Sequence, residues 1–360
     1  MTTRTGLGFG LAVLLSLLAA SIGSTQDAPA KSDSFTAAQW ETGIDCHILS
    51  GPFTHANLTI FLLHGKDMNP TPFTTLKEAI AAGYAVVNET GTVNQLTIEN
   101  SSPELDIFIQ SGDIVKGGRQ DRVIASDLVV PARSGRESIK IKIDAFCCEH
   151  GRWSQRGGED DRKFSSSEKA VAGKDLKKAV AADKDQQKVW KEVAQAQRGL
   201  MMRVGRVQAS ESPTSLQLTL ENKSLQEATE KYLKELAKVA DGKKDVIGFA
   251  FAINGQMNGA EVYGSHMLFE KLWPKLVEAA VVEAVAEQAK EPAKDKKMEP
   301  VTAEAAKSFL NDCAKGKVTQ EREAGTRVKV ITKEGAKTLF WETRDREHKD
   351  AIIHRSYLMK

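Results

Sequence analysis

Between residues 57 and 146 the chain carries a series of short apolar stretches separated by polar turns, and this pattern constrains the fold most. The series includes "NLTIFLLH", "YAVVNE", "NQLTIENS", "LDIFIQSGD" and "DRVIASDLVVPA". Its last member, "ESIKIKIDAF", alternates isoleucine with lysine over residues 139–143, which is typical of a strand with one buried face. Several short strands at close spacing predict an antiparallel sheet or sandwich.

The second half of the chain adds helices. "VWKEVAQAQ", "SLQEATEKYLKELAKVADG" and the stretch that follows Ser265 carry apolar residues at helical spacing. "TSLQLTLEN" predicts a further strand, and its similarity to "QLTIENSS" suggests two similar strand ends. A short helix near Thr302 and strands around Val328, Phe340 and Ile353 close the chain. The fold class is therefore α+β: an antiparallel, strand-rich N-terminal part packed with amphipathic helices, then a mixed C-terminal part.

The first residues predict export. Residues 1–24 combine Arg4 with a long apolar run and small residues, which indicates a signal peptide and a periplasmic or secreted protein. A single membrane anchor is the alternative, although the run is short for a span and lacks a charged flank. Residues 25–36 are polar and predict a disordered leader. After cleavage we expect no segment in the membrane.

We expect one α+β domain over residues 37–360. Two charged stretches interrupt the pattern: a Lys/Asp-rich insert at 159–187, interpreted as a solvated helix or flexible segment, and a charged linker at 288–300. The net charge of +2 does not favour nucleic acid as a partner, so any basic function must be local. The sequence leaves the oligomeric state open.

The chain has 4 cysteines, and an oxidising compartment would favour a disulfide. Cys46 bonded to either Cys147 or Cys148 is one possibility, with Cys313 free. Four buried thiols are the alternative, because a domain of this size needs no covalent staple. The cysteine and histidine spacings match no zinc motif, so no metal and no cofactor are expected. No nucleophile elbow, P-loop or dinucleotide fingerprint occurs either.

The stretch "GDIVKGGRQDR" is the first candidate site. A glycine pair that turns the backbone, followed at once by arginines, is suited to bind a phosphate or carboxylate. A solvated hairpin tip is the alternative interpretation. The candidate ligand-binding residues here are Asp113, Gly117, Gly118, Arg119, Gln120 and Arg122.

The stretch "CCEHGRW" is the second candidate site. Glu149 is the candidate general acid or base, Arg152 could hold an anion, and Trp153 could stack on a ring. The alternative is a structural ion pair between Glu149 and Arg152 beside a core tryptophan.

Several motifs in order resemble a mostly bacterial family, the ARG and rhodanese-phosphatase-superfamily-associated protein domain. They are "GDIVKGGRQDRVI", "CEHGRWS", "VWKEV", "VIGFAFAINGQMNGAEVYGSHMLFEKLWPKL" and "HRSYL". In the first loop the resemblance covers Gly112, Asp113, Gly117, Arg119, Gln120, Asp121 and Arg122, with Asp113, Arg119 and Asp121 departing mildly from the family pattern. In the second motif it covers Glu149, Gly151, Arg152 and Trp153. The family name implies a neighbourhood with ADP-ribosylglycohydrolases and phosphatase-like proteins, and so a link to ADP-ribose or nucleotide metabolism.

Three hypotheses follow for the function. The first is a domain that binds a small anionic ligand between the two motifs, which requires the loops to meet in space. The second is a hydrolase of ADP-ribose-type or phosphoester substrates in which Glu149 transfers the proton. The third is a structural or adaptor protein of the cell envelope in which these residues form buried pairs.

Overall fold

The computed structural model describes residues 48–288 and 300–360. The expected signal peptide, the leader and Cys46 lie outside these residues, and so do positions 289–299 of the expected linker. Within the described part, no helix has the length and apolar character needed to cross a membrane.

The described chain contains strands and helices in the α+β arrangement expected. The strands are β1 (Ile48–His55), β2 (Leu58–His64), β3 (Thr74–Thr75), β4 (Ala85–Glu89), β5 (Gln95–Asn100), β6 (Ile107–Ile109), β7 (Ile114–Gly117), β8 (Arg122–Ile124), β9 (Leu128–Val130), β10 (Ile139–Cys147), β11 (Lys163–Ser166), β12 (Val246–Ile253), β13 (Gln256–Tyr263), β14 (Lys317–Ala324), β15 (Val328–Glu334), β16 (Thr338–Asp345) and β17 (Ala351–Met359). The helices are α1 (Leu76–Ala81), α2 (Lys174–Lys178), α3 (Gln186–Val204), α4 (Leu216–Leu220), α5 (Lys223–Leu236), α6 (His266–Glu287) and α7 (Ala303–Ala314).

The strands form two main units. An antiparallel 8-stranded sheet has the order β1-β2-β12-β13-β17-β16-β15-β14, so β2 pairs with β12 from the second half of the chain and β1 forms the edge. The other unit is a closed barrel in the order β10-β5-β4-β11-β7-β8, where the sequence predicted an antiparallel sheet or sandwich. A small sheet, β3-β6-β9, completes the set.

The central strands of the 8-stranded sheet are buried on both faces, which explains the continuous apolar character of β2 and β12. Leu58, Ile60 and Leu62 belong to the main core, whereas Phe61 and Leu63 pack in a second cluster with Phe309 of α7 and its neighbours. Neighbouring residues of a strand face opposite sides, so one apolar run supplies both cores.

Barrel closure depends on β10 and β11. The first part of β10 pairs with β5, and its last residues, Ala145–Cys147, pair with β8. Strand β11 then joins β4 to β7. The segment 159–187 is therefore not the solvated insert expected. It supplies a barrel strand, helix α2 and a π-helical turn at Ala179–Asp183, and it buries apolar side chains such as Val171, Leu176 and Val180 among its lysines.

The prediction of a strand at "TSLQLTLEN" is also wrong, because this segment forms helix α4. The side chain of Ser215 caps the helix by accepting a hydrogen bond from the amide of Leu218. Leu216 and Leu220 are both buried, as residues four apart on one helical face can be. The similarity to "QLTIENSS" therefore does not mark two strand ends. By contrast, the helices expected after Ser265 and near Thr302 are confirmed as α6 and α7, and the side chains of Ser265 and Thr302 cap them. Thr75 and Glu78 form a capping box on α1.

Candidate functional site

The loop between β7 and β8 turns at the two glycines that the sequence singled out. Gly117 has φ +115° and Gly118 has φ +52°, values that side chains other than glycine rarely adopt. A Cβ atom on Gly118 would also lie 2.1 Å from Cζ of Phe164 on β11. The turn is buried against the barrel, so it is not the solvated hairpin tip considered as the alternative.

Gly118→Ala is therefore expected to lower the free energy of unfolding by about 2 kcal/mol or more, from backbone strain and the clash with Phe164. Urea denaturation measures the change. Gly158→Ala is the matched control, since a Cβ atom there meets open space and its φ is ordinary. Equal stability of the two variants would contradict this account of the turn.

Glu149, just beyond β10, joins the two candidate motifs. Its side chain is 0 % exposed, and Oε2 accepts the backbone amide of Asp121 at 2.9 Å. Arg152 donates Nε to Oε1 and Nη2 to Oε2, both at 2.7 Å. The side-chain amide of Gln120 also donates a hydrogen bond to the backbone carbonyl of Glu149 at 3.1 Å. The loops therefore meet in space, as the binding hypothesis requires.

The pKa of Glu149 follows from these contacts. Burial alone would raise it, but hydrogen bonds from Arg152, from Ser212 and from the Asp121 amide outweigh burial and hold the pKa below its ordinary value. An ionised carboxylate whose two oxygens are both engaged is poorly placed to exchange a proton with a substrate. This geometry is that of a structural ion pair, the alternative that the sequence left open.

A second ion pair, which sequence reasoning missed, lies beside the first. Arg156 donates to both carboxylate oxygens of Asp121 at 2.9 Å, and Asp121 is fully buried. Ser215 donates to the same carboxylate at 2.6 Å, so the cap of α4 is fixed to the barrel loop. Arg156 also lies 3.0 Å from Glu159. We call Glu149, Arg152, Asp121 and Arg156 the barrel-end network.

Two of the candidate binding residues, Arg119 and Trp153, are exposed beside this network. Trp153 is 42 % exposed, and the guanidinium carbons of Arg119 and Arg122 each lie 5.6 Å from its ring centroid. Arg122 is completely buried and pairs with Glu89 at 3.3 Å. Arg119 is exposed and makes no ion pair with any residue that the structure describes. Trp153 is therefore a surface residue rather than a core tryptophan.

Asp113 is not brought to the same place. It precedes β7, at the end of that strand opposite to the glycine turn, and its carboxylate pairs with Lys275 of α6 at 2.9 Å. Both side chains are nearly completely buried. Asp113 therefore connects the barrel to α6.

A second buried polar cluster lies between the barrel and the 8-stranded sheet, and no residue spacing in the sequence indicated it. His354 on β17 contacts Asp127 at 2.7 Å through Nδ1 and Glu261 at 2.8 Å through Nε2. Lys177 of α2 pairs with Glu261, and the Tyr263 ring stacks on the imidazole at 4.6 Å. These residues are far apart in sequence, so only the fold unites them. We call Asp127, Glu261, His354 and Lys177 the central network.

The central network makes stability depend on pH. Burial would lower the pKa of His354, but Asp127 and Glu261 outweigh it and raise the pKa from 6.5 to about 9. The protonated ring stabilises the fold fully below about pH 6.5, and this contribution is lost as pH rises through about 9. We expect stability to fall by on the order of 3 kcal/mol between those values. Urea denaturation at pH 6.5 and pH 9 tests this, and equal stability would refute it.

The cysteines that the structure describes are unbonded. Cys147, Cys148 and Cys313 are free and buried, and a pairing with Cys46 falls outside the described residues. Burial raises the pKa of all three thiols, to about 12 for Cys313, so none is an activated nucleophile. Within residues 48–288 and 300–360, no group of three or more His, Cys, Asp or Glu is placed to hold a metal ion.

Comparison with known proteins gives one match. The family model described as "ARG and Rhodanese-Phosphatase-superfamily-associated Protein domain" matches residues 47–358. No curated protein and no solved structure matches the chain. The matched residues include the barrel, the large sheet and both polar networks. The chain therefore belongs to the ARG and Rhodanese-Phosphatase-superfamily-associated Protein domain family.

Proposed function

We propose that this domain binds a small anionic ligand at the surface formed by Arg119 and Trp153. The observation that carries the proposal is the contrast among the arginines. Arg152 and Arg156 are neutralised by Glu149 and Asp121, whereas Arg119 is exposed beside an exposed indole and has no ion pair among the described residues.

The chemistry of this surface suits a phosphate attached to a flat ring. The Arg119 guanidinium offers paired N–H donors to a phosphate or carboxylate, and the Trp153 ring offers a face for stacking. The buried guanidinium of Arg122 adds positive charge near the same ring, at 5.6 Å from its centroid. ADP-ribose contains both phosphate groups and a flat base, and it is the nucleotide-type ligand that we propose to test. We also propose that the protein is exported.

In this proposal the barrel-end network supports the site and does not react. Arg152 fixes the glycine turn from below by donating to the Gly118 carbonyl at 3.1 Å. No geometric observation favours the hydrolase alternative, because Glu149 is completely buried. The structural or adaptor alternative is supported by the same buried pairs, and ligand binding separates it from our proposal.

Calorimetric titration of the full chain with inorganic phosphate and with ADP-ribose tests the proposal. Arg119→Ala is expected to weaken binding of both about 10-fold, the size of one charge-assisted hydrogen bond. Trp153→Ala should weaken ADP-ribose more than phosphate, because only ADP-ribose has a base to stack. Arg136→Ala, an exposed arginine on another loop, is the control. Binding that Arg119→Ala leaves unchanged, or no binding of either ligand, would contradict the proposal.

A further inference from the structure

A cavity of about 370 Å³ lies among helices α2, α3, α4 and α6, away from the residues of the barrel-end network. Its walls are mainly apolar and include Leu176, Leu200, Leu216, Leu220 and Val282. The volume corresponds to roughly a dozen water-sized groups and lies in the range of small-molecule sites. A narrower extension shares Val171, Lys174, Ala279 and Glu283 with this cavity and ends at the Lys177–Glu261 pair.

The polar residues at this cavity carry an excess of negative charge. Its lining contains the carboxylates of Asp175, Glu192, Glu283 and Glu287, against the cations Lys174 and Arg198. Within the described residues, none of these four carboxylates forms an ion pair. Their negative charge is therefore not compensated by an ion pair within the part of the chain that the structure describes.

Glu283 of α6 is the carboxylate best fixed in position. Its Oε1 accepts the Lys174 amide at 2.9 Å, and its Oε2 accepts the Asn258 side-chain amide at 2.8 Å. Gly173 permits this approach, since a Cβ atom there would lie 2.8 Å from Oε1. Burial raises the pKa of Glu283 and of Glu287, because the charge of Lys174 and, for Glu283, two hydrogen bonds only partly compensate for lost hydration.

We propose that this cavity binds a small cationic amphiphile, an alkyl or arylalkyl amine whose apolar part occupies the helical pocket and whose ammonium group faces Glu283. Burial of the apolar tail against the apolar walls contributes favourable binding free energy through the hydrophobic effect. The carboxylates supply the charge that the protein itself leaves unbalanced. The ammonium group binds at the Glu283 end, because Glu261 at the other end is already paired with Lys177 and His354.

Calorimetric titration of the full chain with octylamine, octanoate and octanol tests the proposal, since the three probes share a tail and differ in charge. Octylamine is expected to bind about 10-fold or more tightly than octanol, and octanoate more weakly than octanol. Octanoate binding as tightly as octylamine would overturn the proposal, and so would a failure of octylamine to bind.

Two variants locate the site. Glu283→Gln should weaken octylamine about 10-fold while leaving octanol unchanged, because it removes the charge and keeps the shape. Ala196→Phe, which fills the pocket from α3, should abolish binding of both probes. Circular dichroism melts establish that each variant is folded, and Glu230→Gln on the exposed face of α5 is the control. Octylamine affinity that survives both folded variants would place binding elsewhere and refute the assignment.

Discussion

Asp127→Ala is expected to lower the free energy of unfolding by about 3–5 kcal/mol, the typical cost of removing one partner from a buried ion pair. Asp127 is almost completely inaccessible, and its carboxylate receives His354 at 2.7 Å and the Thr343 hydroxyl at 2.6 Å. It also accepts the Ser111 amide at 2.7 Å. The substitution leaves all three donors without this acceptor at a buried position.

Urea denaturation followed by intrinsic fluorescence measures this loss. Asp241→Ala is the matched control, because Asp241 is exposed and such surface changes stay within about 0.5 kcal/mol. The variant should also lose most of the stability difference between pH 6.5 and pH 9, since His354 loses the first of the carboxylates that raise its pKa. Wild-type stability in Asp127→Ala would show that the central network does not stabilise the fold.

Glu149→Ala is expected to cost a similar amount, about 3–5 kcal/mol. The substitution removes the two carboxylate oxygens that accept from Arg152 and the acceptor of the Asp121 amide, and it leaves the nearly inaccessible Arg152 guanidinium without its closest carboxylate. The expected result is a loss of stability whether or not any ligand is present. A catalytic carboxylate would give the opposite result, full stability with lost turnover.

A double-mutant cycle tests whether Glu149 and Arg152 interact directly. Glu149→Ala combined with Arg152→Ala should lose less than the sum of the two single changes, because each single change leaves a buried charged group without its closest partner. Glu137→Ala, an exposed glutamate in the loop before β10, is the control. Additive losses would contradict a direct pair between Glu149 and Arg152.

The fold class followed from local signals, whereas the barrel did not. Alternation in "ESIKIKIDAF" identifies β10, and apolar residues at helical spacing identify α3, α5 and α6. Barrel closure depends on β11, a strand of four residues in a charged segment, whose partners β4 and β7 lie far away in sequence. Composition made this segment look solvated, because its exposed lysines and aspartates conceal the alternate buried residues Phe164 and Ser166.

The candidate site, like the fold, could be predicted only in part from the sequence. The residues of the two motifs could be chosen from their types, and the structure does bring Gln120 and Glu149 into contact. The sequence could not show which arginines are already paired. Arg119, Arg122 and Arg152 look equivalent in the sequence, but only Arg119 is exposed. The central network was missed altogether, because His354, Asp127 and Glu261 come from separate parts of the chain.

The central claim is that the buried arginines hold the fold while the exposed Arg119 binds the ligand. The most direct test compares Arg119→Ala with Arg152→Ala, measuring urea stability and phosphate affinity for both variants. We predict that Arg119→Ala keeps its stability within about 0.5 kcal/mol and loses about 10-fold in affinity, whereas Arg152→Ala loses about 3 kcal/mol or more of stability. Unchanged affinity in Arg119→Ala, or unchanged stability in Arg152→Ala, would contradict it.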